Sequence, residues 1–242
     1  MSFSQILARA PAHSIEDVLA IMTALDECLP DTDGLKWFNH LYLRVTVSVR
    51  EAVGTRFVDP VFLARLDVVF ANLYFNALVA AATDMRTVPA AWRPLLQSRN
   101  ARGIARIQFA LAGMNAHINR DLPDGIVQTF AALGGNPLTD AVRENDFNSV
   151  NDVLERVEQE VKGAFAVGLV GEIDRLGGQA DDAVAMWNVR AARSAAWTNA
   201  QVLWGLQDIP RLRDRFFAKL DGLVGMTGQG LLLPRDPLAS KR

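Results

Sequence analysis

Four polar residues stand in a stretch that otherwise reads as protein interior. In "LAGMNAHINRDLP", residues 111–123, Asn115, His117, Asn119 and Asp121 interrupt or close a run, Ile107 to Ile118, that holds no Asp, Glu, Lys or Arg. In a helix, residues four apart share a face. His117 therefore meets Asp121, and Asn115 meets Asn119, as two pairs rotated by part of a turn. A histidine oriented by a carboxylate is an acid–base dyad, and the same two side chains can also hold a metal ion. Asparagines beside it can donate neutral hydrogen bonds to a substrate oxygen. Ile104, Ile107, Gln108, Leu111, Asn115, Ile118 and Leu122 form one stripe of this segment, and Ala110, Met114, His117 and Asp121 form the other, so both sides face other helices. Burying an unpartnered amide or imidazole costs roughly 1–3 kcal/mol, so partners are expected. The competing reading is a polar network that ties the helix end to its neighbours.

Other polar residues extend the candidate set. Asp67, in "ARLDVVFANLYFNAL", precedes Phe70 by one turn and Tyr74 by two, among large apolar groups. A buried charge needs a partner, and Arg190 or Arg193 of "NVRAARSAAW", or His117 itself, could supply one. Lys36, His40 and Arg44 fall on one face, either a solvated basic surface or a wall that binds an anion. Asp146, Asn148 and Asn151 read first as helix caps and second as a pocket rim. Trp197 and Trp204 lie seven apart with Trp187 upstream, which fits core packing better than a cofactor cage. The candidate substrate-binding residues are thus Asn115, Asn119, Asp67, Tyr74, His40, Arg190 and Arg193, around His117 and Asp121 as catalytic groups. No cofactor is called for by motif. A single divalent metal on His117, Asp121 and Asp67 is the one metal arrangement left open.

Several chemistries are excluded by what is missing. No phosphate-binding glycine loop, no G-x-S-x-G, no C-x-x-C and no H-E-x-x-H occurs. The three histidines, His13, His40 and His117, are too few for a four-histidine zinc site, and no E-x-x-H pair supports a di-iron centre. Haem would need one axial histidine, with nothing specific to support it. The lone Cys28 permits no internal disulfide and sits on the apolar side of a helix end, as a structural thiol would.

These groups must be positioned by helices. Half of the 242 residues are hydrophobic, and the net charge is −2, from 25 basic and 27 acidic residues. That describes a globular chain with a sizeable core and no nucleic-acid or anionic-membrane signature. Ser14 caps a helix that runs to about Leu29 and stops at Pro30. A second runs from about Leu35 to Val53, despite its β-branched "VTVSV", and ends at Gly54. Asp59 and Pro60 open a third, to about Thr83. Pro89 opens a short helix, and a long one from Arg99 to Leu122 is stopped by Pro123. A short helix covers 124–132, "GGNP" turns, and Pro137 starts a helix to Glu144 that resumes after a break near Phe147. The segment 163–176 is interrupted by glycines. Helices from Asp181 to Leu206 and from Pro210 to Val224 precede an extended, partly mobile tail, 226–242. The expectation is a single all-α domain of about nine helices around a buried central helix near 99–122. The start lacks a secretory signal. The longest weakly polar run, 68–82, is too short to span a bilayer. A cytoplasmic protein with no membrane span is expected.

Five strings, "DGLKWFNHLYLRVT", "FVDPVFLARLDVVFANLYFNAL", "FALAGMNAHINRDLP", "NDFNSVNDVL" and "ARSAAWTNAQVLW", resemble in the same order a family of all-helical bacterial proteins known only as a domain of unknown function. The resemblance spans roughly residues 30–230 and is most distinctive at Asn115–Pro123. It implies no activity, but it adds weight to Asn115, His117, Asn119 and Asp121. A weaker similarity, to the all-helical zinc phospholipase C and nuclease group, rests on His117-x-x-x-Asp121 alone; those proteins need more histidines than this chain has. The functional expectation is an enzyme acting on a small, largely apolar molecule in an interhelical pocket. His117 would act as acid or base and Asp121 would orient it, in hydrolysis, elimination or cyclisation. The alternatives are a hydrolase using one metal and a lipid- or metabolite-binding protein without catalysis.

Overall fold

The computed structural model describes residues 1–155 and 188–234, and all regular structure among them is helical. Helix α1 (Phe3–Leu7) was not expected; a capping box between Ser2 and Gln5 starts it. Helix α2 (Ile15–Cys28) carries the capping box of Ser14 and Asp17. Helix α3 (Gly34–Arg56) is capped by Asp33, whose carboxylate is also gripped by Arg99. It absorbs both "VTVSV" and Gly54, the residue expected to end it; burial of Thr46 and Val49 outweighs the small helix cost of the β-branched residues. Helix α4 (Pro60–Thr83) begins at the expected Asp59 cap with Pro60 in its first turn. It is long and apolar enough to cross a membrane by length and composition, and here it is packed between the other helices.

A short 3-10 turn (Met85–Thr87) leads to α5 (Arg93–Ser98), which starts behind Trp92 rather than at Pro89. Residues 99–105 are not helical, so the central helix, α6 (Arg106–Ala116), starts later than expected. At His117–Asp121 the chain widens into a π turn, and α7 (Leu122–Leu133) follows at once. Pro123 therefore does not stop the helix. It sits in the first turn of α7, where its missing N–H is harmless. The "GGNP" turn uses Gly134 and Gly135 at positive φ, 79° and 99°.

Helix α8, 141–155 within the described residues, is unbroken at Phe147, which is fully buried. The capping residue that suggested a break, Asp146, serves another helix: it accepts hydrogen bonds from the N–H groups of Val58 and Asp59, just before α4. Helix α9 (Val189–Gly205) begins at the Asn188 cap. Its expected start at Asp181, Trp187 and the segment 163–176 lie outside the described residues. Helix α10 (Pro210–Leu231) runs past Val224, so 226–231 of the expected tail is helical, while 235–242 are outside the described residues. Just past the expected end at Val224, Gly225 permits close contact. A Cβ there would lie 2.6 Å from the Ala90 carbonyl oxygen.

Two apolar clusters fill the interior. The first joins α1, α2, α5 and α6 to Leu35, Phe38 and Tyr42 of α3 and to Tyr74, Phe75 and Leu78 of α4. The second gathers Val49, Phe62, Leu66, Ile126, Phe130, Phe147 and Trp197. Phe70 packs against both. The π turn lies where they meet, since Ala116 belongs to the first and Leu122 to the second.

Candidate functional site

The π turn carries His117 and Asp121 into this junction. A π turn inserts one extra residue into the helical ladder and is often found at functional sites. Its widening preserves the i, i+4 contact. His117 Nδ1 lies 3.0 Å from Asp121 Oδ2, and both side chains are buried. Asp121 is held from every side. Trp92 Nε1–H donates to Oδ2 at 2.8 Å, and Arg120 Nη1 donates to Oδ1 at 2.7 Å. Arg120 is steadied in turn by Asp221 of α10, at 3.6 Å, and lies over the Phe217 ring. Asp221 reaches further, accepting from the N–H groups of Ala90 and Ala91.

With Asp121 an acceptor, Nδ1 of the neutral imidazole carries the proton. Nε2 is then a bare lone pair, and it is buried with no hydrogen-bond partner. Five aromatic rings surround the imidazole. Phe70 stacks on it at 3.5 Å with 6° between planes, and Tyr42 meets it edge-on at 4.5 Å. Phe38, Trp92 and Tyr74 follow at 5.7, 5.9 and 6.1 Å. Burial disfavours the imidazolium and outweighs the Asp121 hydrogen bond and charge, so the pKa of His117 falls below its ordinary value. The ring is held neutral.

Among the described residues, buried side-chain atoms without a hydrogen-bond partner include Tyr42 Oη, Thr46 Oγ1 and Asp67 Oδ2 as well as His117 Nε2. Tyr42 links them: its ring meets that of His117, and the charge of Asp67 acts on it. Tyr42 and Thr46 are one turn apart on α3, and Tyr42 is raised first by burial, then by the charges of Asp67 and Asp121, with Thr46 opposing. Asp67 lies one turn before Phe70 on α4. Burial alone pushes its carboxyl up to about 7. Asp67 and Phe70 keep some accessible surface, while Thr46 and His117 keep almost none. The chemistry available is thus a base lone pair, two hydroxyls and a carboxyl that carries a proton through much of the neutral range, all inside an aromatic shell.

The remaining expected site residues lie elsewhere or have structural partners. Neither arginine pairs with Asp67. Arg190 is exposed and pairs with Glu155 and Asp152, whereas Arg193 is buried against Phe147, donating to Asn151 Oδ1 and to the Phe147 carbonyl. Burial pushes Arg193 down to about 9. His40 is half-exposed beside Asp26, and Lys36 binds the carbonyls of Asp26 and Leu29 at the end of α2, so the face does not form an anion-binding wall. Tyr74 donates to Asn39 Oδ1, away from the orphan set, and Asn39 donates to Met22 O. Asn119 donates to Asn115 Oδ1, and Asn115 donates to the Val224 carbonyl, which ties α6 to α10. Gln108 makes a parallel tie to the carbonyls of Leu231 and Leu233. Among the described residues no group of three or more His, Cys, Asp or Glu side chains is arranged to hold a metal.

Tyr42, Thr46, Trp92 and Arg120 were missed in the sequence. Only Tyr42 and Thr46 left a signal, two hydroxyls four apart on an apolar helix.

A family model described as "Family of unknown function (DUF5995)" matches residues 15–234. No functionally curated protein and no solved structure matches the chain.

Proposed function

The chain belongs to the DUF5995 family of unknown function, and from its buried dyad we propose an enzyme that performs acid–base chemistry on a small, largely apolar molecule held between α3, α4 and the π turn. The observation that carries this is the one-sided imidazole. Asp121 takes Nδ1–H, and Nε2 has nothing to accept from. That is the arrangement of a general base. The carboxylate fixes the tautomer and ring angle, then stabilises the imidazolium that forms when Nε2 takes a proton. Trp92 and Arg120 are positioning residues, because they hold Asp121 and do not face the lone pair. The aromatic shell excludes water and favours an apolar substrate body.

Nitrogen NMR of the His117 ring tests the reading. Expected is a neutral Nδ1–H ring near pH 7, whose Nε2 signal moves on addition of some members of a set of small phenols, ketones, esters and alcohols. His117→Gln should abolish that response. A ring protonated on Nε2, or one that no compound perturbs, would count against the proposal.

A further inference from the structure

The unpartnered polar atoms of α3 and α4 narrow the substrate class, an inference that rests on the reading of His117 as a base. A nucleophilic mechanism would place a hydroxyl or thiol against Nε2, but Nε2 has no such partner among the described residues. An anionic substrate would need a counter-ion, yet Arg120 is already engaged by Asp121 and Asp221. On α3, α4 and the π turn, the buried atoms without a hydrogen-bond partner besides His117 Nε2 are Tyr42 Oη, Thr46 Oγ1, Asp67 Oδ2 and Arg120 Nε, and the last has the Asp221 carboxylate at 3.6 Å to balance its charge. A tyrosine hydroxyl and a protonated carboxyl are both hydrogen-bond donors, and together they can hold one oxygen on which negative charge develops.

We propose that the site binds a small, uncharged, largely apolar ketone or enone, with Tyr42 and Asp67 donating to its carbonyl oxygen and His117 Nε2 removing a proton from the adjacent carbon. In that step the C–H bond breaks and its proton moves to Nε2. The electron pair becomes a C=C bond, and the carbonyl becomes an enolate oxygen held by the Tyr42 and Asp67 donors. The imidazolium, paired with Asp121, returns the proton to the same carbon, giving exchange, or to a conjugated carbon, giving isomerisation. No oxidant, reductant or second substrate is consumed. The apolar setting of Asp67, one turn from Phe70, suits the acid form, and the burial that raises its pKa acts in the same direction.

Two measurements test this. The first is binding of 4-nitrophenol, whose oxygen on an apolar ring mimics the enolate, followed by its absorbance. Wild type should bind it, and Tyr42→Phe and Asp67→Leu should each weaken binding about tenfold or more. Tyr42→Phe keeps the ring and removes a hydroxyl whose polar neighbour is the Thr46 hydroxyl one turn away, so it should fold normally, which a thermal melt checks. The second is deuterium uptake from D2O at the α-carbon of cyclohexanone and 2-tetralone, followed by proton NMR. Wild type should exceed the buffer rate saturably, His117→Gln should not, and Tyr42→Phe should slow exchange at least tenfold. Equal phenol affinity in wild type, Tyr42→Phe and Asp67→Leu overturns the donor assignment. Phenol binding that depends on Tyr42, without catalysed exchange, overturns the proton-transfer step and leaves the ligand site of the preceding proposal standing. Neither phenol binding nor any response of the His117 ring overturns both.

Discussion

Replacing Asp67 with asparagine should remove a pH dependence of stability. Burial pushes the carboxyl up to about 7 in the fold, against an ordinary value of 3.8. A carboxyl whose folded pKa is raised makes the folded state bind the extra proton between those two values. Stability is therefore highest at low pH and falls as pH rises through this window. Linkage gives the size: a shift of about three pH units corresponds to roughly 4 kcal/mol over the full window, most of which falls between pH 5 and pH 8. Asparagine has nearly the same shape and no proton to lose. Urea unfolding of wild type and Asp67→Asn at both pH values should show the variant gaining roughly 2–3 kcal/mol relative to wild type on going from pH 5 to pH 8. Taking the difference between the two proteins cancels His117 and every other group they share. A difference that stays constant to within about 0.5 kcal/mol would mean that Asp67 has a partner or ordinary solvation, and the acid role assigned to it would fall.

His117 should act with the opposite sign. Its folded pKa lies below the unfolded value of 6.5, so the unfolded chain takes up a proton that the fold refuses, and stability falls as pH drops below about 6.5. In an Asp67→Asn background, urea midpoints between pH 5 and pH 7 should show this slope, and His117→Gln should flatten it; an unchanged slope refutes the burial argument. Trp92→Phe should cost about 1.5–3 kcal/mol, because it removes a donor to a buried carboxylate; a smaller loss by urea unfolding would mean that Asp121 does not depend on the indole. Gly225→Ala should destabilise by roughly 1–3 kcal/mol, because the new methyl meets the Ala90 backbone, which cannot rotate away. A thermal melt equal to wild type would show that α10 is not seated as closely as described.

The sequence was informative where the relevant geometry is local. His117 with Asp121 and Asn115 with Asn119 could be paired in advance because helical spacing alone brings them together, and the π turn kept both pairs. What each pair does depends on distant segments. Asn115 is spent on Val224, more than a hundred residues away in sequence, and Asp121 on the Trp92 indole. Arg190 and Arg193 are three apart on one helix, yet one lies on the surface with Glu155 and the other is buried on Phe147. Charge and spacing do not separate them, because that outcome is set by where α8 packs. Proline and glycine misled for the same reason. Pro123 and Gly225 carry a local preference to break a helix, and a π turn and a close helix contact respectively reverse its meaning.

The strongest argument for chemistry at the π turn is an asymmetry across one ring. On the Nδ1 side, Asp121 is shared by His117, Trp92 and Arg120, so neither carboxylate oxygen is bare. Nε2 itself, two hydroxyls of α3 and a carboxyl oxygen of α4 are by contrast all buried without partners. A network that served only to tie helices together would have partners on both sides, as the Asn115–Asn119 tie to Val224 does. Phenylalanine at 42, valine at 46 or leucine at 67 would fit the same helical positions and relieve roughly 1–3 kcal/mol of desolvation each. Tyr42→Phe and Asp67→Leu should therefore stabilise the ligand-free protein while weakening binding. That trade is characteristic of a preorganised site and not of a packing network.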